Sequence, residues 1–262
     1  MTPPELRTAN VIRYVTPLRE GGSLPAIVDA DDGFPYVLKF RGAGQGKKAL
    51  IAELLGGEMA RAIGLRMPEL VFLHLDDSFS KTEPDEEIQD LLKFSVGLNL
   101  GLHYLAGAIT YDPLVSVAKP LEASLVVLLD SVITNIDRTP RNPNILNWKK
   151  ELWLIDHGAS LYFHHAWTGW EAHAQRTFPA IKGHVLLDRA TELPAAVDRL
   201  RERLTPEFLN ALVELLPDDW LQEEGNSITP EEKRVVYATY LSTRIANLDA
   251  LTKEAEDARR AL

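Results

Sequence analysis

No cysteine occurs among the 262 residues, which excludes a disulfide framework, a thiolate zinc site and a cysteine nucleophile together. Basic residues are in the minority: 28 Lys and Arg face 38 Asp and Glu, a formal charge of -10. An excess of that sign works against attraction to a polyphosphate backbone, so no nucleic-acid partner is expected. Long apolar runs are missing too. The most apolar stretch, LEASLVVLLDSVI, is interrupted by Glu122 and Asp130, short of the roughly 20 residues that a membrane span needs. The opening MTPPELRTANVIRYV has neither the charged nor the apolar segment of a secretory leader. No membrane partner is expected, and the expected compartment is the cytoplasm. What the chain does hold, 45% apolar and 8% aromatic residues, suffices for a sizeable core in one or two domains.

Between Val11 and Phe40, glycines at 21, 22 and 33 separate the β-prone runs VIRYV, LPAIVDA and PYVLKF, which predicts three antiparallel strands. Side chains alternate along a strand, so Tyr36, Leu38 and Phe40 share one face while Val37, Lys39 and Arg41 share the other. ALIAELLGGEMARAIGL repeats its apolar residues at helical spacing and stops at Gly64 and Pro68. PELVFLHL predicts a further strand. The acidic segment DDSFSKTEPDEEIQD, broken by Pro84, is expected to be a surface loop or linker. Beyond Pro113 the pattern turns helical: LEASLVVLLDSVITNI is a core helix, ended by the prolines of DRTPRNPN. NILNWKKELWLIDHG predicts a hairpin turning at Lys149 and Lys150. Thr205 before Pro206 and Thr229 before Pro230, with Glu232 three residues on, mark two later helix starts. The layout is α+β in two lobes, a small antiparallel-sheet N-lobe with one helix over 1–98 and a mostly helical C-lobe over 99–262.

Chemistry concentrates in IDRTPRNPNIL and LIDHG. Asp137 and Asn142 stand in one loop with four residues between them, and Asp156 ends a strand two residues before Gly158. Magnesium prefers hard oxygen ligands and keeps several waters beside one or two protein groups, a role that suits Asn142 and Asp156. Phosphoryl transfer also needs a carboxylate to orient the attacking hydroxyl and accept its proton, and Asp137 is the candidate. The nucleotide phosphates need an amine on a strand, steadied by a helix carboxylate: Lys39 and Glu53. Upstream, Gly21, Gly22 and Ser23 of REGGS supply a tight turn whose amides can approach phosphate. Each part has an ordinary rival. Lys39 is read alternatively as a solvated strand lysine, Asp137, Asn142 and Asp156 as turn formers; Glu58 competes with Glu53, and Asn144 with Asn142. The order of the parts, Gly-turn, strand Lys, helix Glu, Asp-x4-Asn, Asp-x-Gly, is that of protein kinases.

On these residues the chain resembles the HipA-like kinases, atypical members of the protein-kinase-like fold that are distantly similar to phosphoinositide kinases. AELLGGEMARAIGLRMPE looks like their helix and its exit, TNIDRTPRNPNIL like their catalytic loop and LIDHGASL like their magnesium loop, with His157 replacing a commoner aromatic or apolar residue. The resemblance implies ATP as donor, Mg2+ as cofactor, and as acceptor a hydroxyl of an unknown protein, often Ser or Thr, or of a small molecule. Departures matter. Asn135 and Ile136 stand where ordinary protein kinases carry His-Arg, and no Ala-Pro-Glu follows Gly158, which keeps a small-molecule or inositide-type kinase and a nucleotide-binding pseudokinase as alternatives. GAGQGKK matches neither a dinucleotide nor a P-loop spacing and is read as a flexible loop, with Lys47 and Lys48 as possible phosphate contacts. His164, His165, His173 and His184 lack the spacing of a helical metal pair and are expected to be solvated or hydrogen-bonded, and Trp148, Trp153, Trp167 and Trp170 to pack.

Overall fold

The computed structural model describes residues 5–18, 24–223 and 225–262. Its first half is built on the alternation read from the sequence. Strands β1 (Arg7–Pro17), β2 (Ala26–Ala30) and β3 (Pro35–Lys39) pair antiparallel in succession, and β3 then pairs with β5 (Gly97–His103), which pairs with β4 (Leu70–Leu75). The expected antiparallel sheet is closed into a barrel, in the order β1-β2-β3-β5-β4. Closure comes from the length of β1: its second part pairs with β2, while Arg7 to Asn10 run parallel to Val71 to His74 of β4. The Arg7 guanidinium fastens this seam, donating to both carboxylate oxygens of Glu69 at 2.8 and 3.0 Å, to Asp32 at 2.8 Å and to the Tyr36 hydroxyl at 3.0 Å. Val28, Tyr36, Leu38, Phe40, Val71 and Leu73 fill the barrel. Val37 packs against the separate core outside it, so Lys39, of the same parity, leaves the barrel interior.

Against that outer wall lies α1 (Lys47–Ala62), buried at almost every position from Leu50 to Ala60. A helix covered on all sides buries whatever it carries, Glu53 included. The acidic segment expected to be a loop forms two helices, α2 (Ser78–Thr82) and α3 (Glu86–Phe94). The reason is local: the Asp85 side chain accepts from the Glu87 amide, Glu86 and Glu87 sit at the positive end of the helix, and Ile88 and Leu92 are buried. The boundary expected at 98/99 falls inside β5, which stays paired with β3 as far as His103.

The second half is organised around α4 (Pro120–Ile133), buried at every position from Ala123 to Ile133. A small sheet joins β6 (Ile109–Thr110), β7 (Ile145–Trp148) and β8 (Glu151–Leu154). Its tight turn places Lys149 and Lys150 at φ 52 and 65, the left-handed pair that a two-residue hairpin requires; Trp148 and Trp153 meet edge to face across it. Helices α5 (Trp170–Gln175), α6 (Leu193–Arg203), α7 (Pro206–Val213), α8 (Asp218–Leu221), α9 (Pro230–Ala246) and α10 (Leu248–Arg260) complete the lobe. Thr205 and Thr229 cap α7 and α9, the latter in a full capping box with Glu232. One continuous apolar core runs from α1 through α4 to α9 and α10, so the two halves share packing rather than being joined by a linker alone. Among the described residues no helix is long and apolar enough to cross a membrane.

Candidate active site

Strand parity and helix burial together bring the Lys39 ammonium to two carboxylates. Its Nζ donates to Glu53 Oε2 at 2.7 Å and to Asp156 Oδ1 at 2.7 Å. Glu53 is fully buried, Lys39 largely so, and Asp156 nearly half exposed. Burial alone would push the Glu53 acid up; the Lys39 charge and the His157 side chain hold it well below the carboxylate range, and the His157 backbone amide donates to Oε2 at 2.7 Å. Burial likewise opposes the ammonium of Lys39, and Asp156 and Glu53 outweigh it, raising its pKa. Glu58, the rival on the same helix, turns instead to Arg61 at 3.6 Å.

Asp156 has φ 57, a left-handed conformation that is costly for a residue with a Cβ. That turn sends the chain from β8 to His157, whose ring presses on α1 at Gly56. A Cβ added to Gly56 would lie 2.8 Å from the His157 Cβ. Gly56→Ala is therefore expected to displace His157 and with it the amide that steadies Glu53, at a cost of about 1–3 kcal/mol from overpacking. Chemical denaturation of the variant checks this, and an unchanged midpoint would rule it out.

The second group of residues follows α4. Asp137 Oδ2 accepts from the side-chain amides of Asn142 at 2.8 Å and Asn144 at 3.2 Å. Asn144 is buried and Asn142 exposed. Next to Asp137, the fully buried Arg138 ties the parts together: Nε donates to Asp130 Oδ2 at 2.6 Å, while Nη1 donates to the carbonyl of Asn144 and, at 3.2 Å, to that of Ile155. The Ile155 amide returns a bond to the Asn144 carbonyl at 3.0 Å. The loop of Asp137 and the strand leading to Asp156 are thus held by one guanidinium. Asp130 also accepts from Asn135 and pairs with His184 at 2.9 Å. Burial of Asp130 is outweighed by Arg138 and His184, so its pKa is lowered.

Sequence reasoning missed the pairing of Arg138 with Asp130 and, beyond a hydrogen-bonded histidine, the partner of His184. The available signal was an acid inside the apolar run of α4 that nothing else on that helix could neutralise. Of the expected histidines, His164 and His184 are buried and hydrogen-bonded, His164 to the Tyr237 hydroxyl at 2.9 Å. Gly21, Gly22 and Ser23 lie outside the described residues. Lys47 and Lys48 are engaged elsewhere: Lys47 with Asp219 at 3.0 Å and Lys48 with Glu223 at 2.5 Å.

Asp156 and Asn142 carry hard oxygens of the kind that magnesium takes. Among the described residues no trio of acidic or imidazole side chains forms a cage, and Mg2+ asks for none, taking one or two protein oxygens with water and phosphate. Asp156 gives Oδ1 to Lys39 and Asn142 gives Nδ2 to Asp137, which leaves Asp156 Oδ2 and Asn142 Oδ1 as acceptors.

The buried ion pairs set an acid limit. Glu53 and Asp130 have folded pKa values below the ordinary 4.5 and 3.8, so the unfolded chain binds protons first and stability falls as pH drops through those values. His164 is kept neutral by burial, with its pKa well below 6.5, and adds a loss that begins as pH falls under 6.5. Urea midpoints are expected to be flat from about pH 7 to 8, to decline below 6.5 and to steepen below about pH 4.5. A midpoint that held constant down to about pH 4 would contradict this accounting.

A model of the HipA-like kinase family matches residues 11–248. Among solved structures, the Helicobacter pylori proinflammatory kinase CtkA is similar over 97% of this chain and 99% of its own, at 11% identity and a TM-score of 0.55. Two structures of the Golgi casein kinase are similar over 98% of this chain and 74% of theirs. One, with Mn/ADP bound, has 11% identity and a TM-score of 0.50; the other has 12% and 0.51. At such identities these likenesses establish the fold. No curated protein matches.

Proposed function

The chain belongs to the HipA-like kinase family, and from that premise we propose that it transfers the γ-phosphoryl group of ATP to the hydroxyl of a protein serine or threonine. The observation that carries this reading is the chain of contacts Glu53–Lys39–Asp156, with Arg138, next to the amide-bound Asp137, donating to the Ile155 carbonyl that precedes Asp156. Lys39, fixed by Glu53, meets the donor phosphates. Asp156 and Asn142 would hold Mg2+, which when bound neutralises the phosphate oxygens. Asp137, oriented by two amides, takes the acceptor hydroxyl's hydrogen bond and its proton as the oxygen attacks phosphorus and ADP leaves. The protein's contribution is positioning and charge neutralisation. The Golgi casein kinase, by its name, acts on a protein, which supports a protein acceptor.

Incubation of the purified chain with labelled ATP, Mg2+ and a cell lysate is expected to yield phosphoserine or phosphothreonine by mass spectrometry. Label on lipid or small metabolites alone would redirect the acceptor class. Nucleotide binding without any transfer would convert the reading to a pseudokinase. Lys39→Met is expected to weaken nucleotide binding about tenfold or more, since it removes a charge-assisted partner of the phosphates and leaves Glu53 buried without its counterion; calorimetric titration with ADP checks this.

A further inference from the structure

Helix α1 starts in an unfavourable way for a helix that must hold Glu53 in place. Its N-cap is Gly46, with no side-chain cap, and its first turn contains no acid. Lys47 and Lys48 occupy its first two positions, at the end where the helix dipole is already positive. Their compensation comes from the far end of the chain. Asp219, on α8, accepts from Arg41 Nη2 at 2.9 Å and from Lys47 at 3.0 Å, and its carbonyl accepts from Lys47 at 2.6 Å. Glu223, just beyond α8, pairs with Lys48 and is itself anchored by the buried Lys233 at 2.7 Å and the Trp167 indole at 2.8 Å. Between them the buried Trp220 donates from its indole to the Leu98 carbonyl of β5 at 3.0 Å and sets its edge against Phe72 of β4. Burial of Glu223 is overcome by Lys233, Lys48 and Trp167, which hold its pKa down to about 2.

We propose that Asp219, Trp220 and Glu223 are positioning residues for phosphoryl transfer, a latch from the C-lobe that neutralises and fixes the first turn of α1. Glu53 lies six residues beyond Lys47, about 9 Å along the helix axis, so the latch acts on the nucleotide site through the Glu53–Lys39 pair. The role rests on reading the cleft as a nucleotide site. It makes the α1 position a built-in property of the folded chain, set by a contact within the chain.

The sign of one measurement separates this latch from simple charge effects. Asp219→Asn combined with Glu223→Gln removes two negative charges and leaves Arg41, Lys47, Lys48 and Lys233 without these acids, so plain electrostatics predicts tighter binding of ADP with Mg2+. The latch predicts weaker binding, by about fivefold. It also predicts that the loss disappears when the same pair is introduced into Glu53→Gln, because that background has already lost the group through which the latch acts. Tighter or unchanged binding overturns the proposal, as does an equal loss in both backgrounds. Glu223→Gln uncovers the buried ammonium of Lys233, so Asp219→Asn alone, at a half-exposed side chain, serves as the second variant, with about a twofold loss expected. Should the unaltered protein bind no ADP, the nucleotide reading falls and the latch role with it. Should it bind while the variants bind equally well, only the latch role falls.

Discussion

Asp137→Ala is expected to lower turnover by about 10²- to 10⁴-fold, the range for losing a positioned general base, while ADP affinity stays within about twofold. The separation follows from the geometry. Asp137 touches neither Lys39 nor Glu53; its partners are the amides of Asn142 and Asn144, which orient its carboxylate without neutralising it. Single-turnover transfer measured beside calorimetric binding tests this directly. Comparable, mild losses in both quantities would show that the carboxylate only shapes its loop. Asp156→Asn should behave differently, losing the Mg2+-dependent part of nucleotide affinity, because in the proposed reading its carboxylate would hold the metal besides accepting from Lys39.

Asp130→Ala has the largest expected effect on stability. It strips Arg138 of its anionic partner at a position with no solvent exposure, and an unpaired buried charge costs about 3–5 kcal/mol. For a chain of this size that corresponds to a melting point lower by roughly 10 °C. The consequence extends to function, since Arg138 also holds the carbonyls of Asn144 and Ile155, and loosening it releases the Asp137 loop from the strand that ends in Asp156. A melting point within about 2 °C of the unaltered protein would show that the site rehydrates at little cost.

Local patterns in the sequence revealed the parts of this molecule that obey local rules. Alternation in PYVLKF set Lys39 apart from Tyr36, Leu38 and Phe40, and Thr205 and Thr229 cap helices by hydrogen bonds to residues only three positions away. What escaped depended on distant partners. Closure of the barrel needed β4 to reach β1 across more than fifty residues of intervening chain, a pairing no window of sequence contains. The acidic segment after β4 looked like a linker because its net charge masked two buried apolar positions at helical spacing, Ile88 and Leu92. Lys47 and Lys48 looked like phosphate contacts because the acids that occupy them, Asp219 and Glu223, come some 170 positions later. For the site, order along the chain pointed to Lys39, Glu53 and Asp156, and the structure brings these three within hydrogen-bonding distance. The buried Arg138 and its pairing with Asp130 stayed hidden because Arg is ordinarily an exposed residue.

The barrel that supports Lys39 returns upon itself, β4 against β1, and this restricts how a second polypeptide can be received. Proteins often capture an extended peptide by letting it extend a sheet through main-chain pairing, but a ring of strands offers no such row of spare amides. Among the described residues, the small sheet of β6, β7 and β8 has open edges that an acceptor docking in this manner can join. There the outer strand β6 leaves Ile109 and Thr110 exposed, one strand away from β7, which continues the chain beyond Asp137 and Asn142.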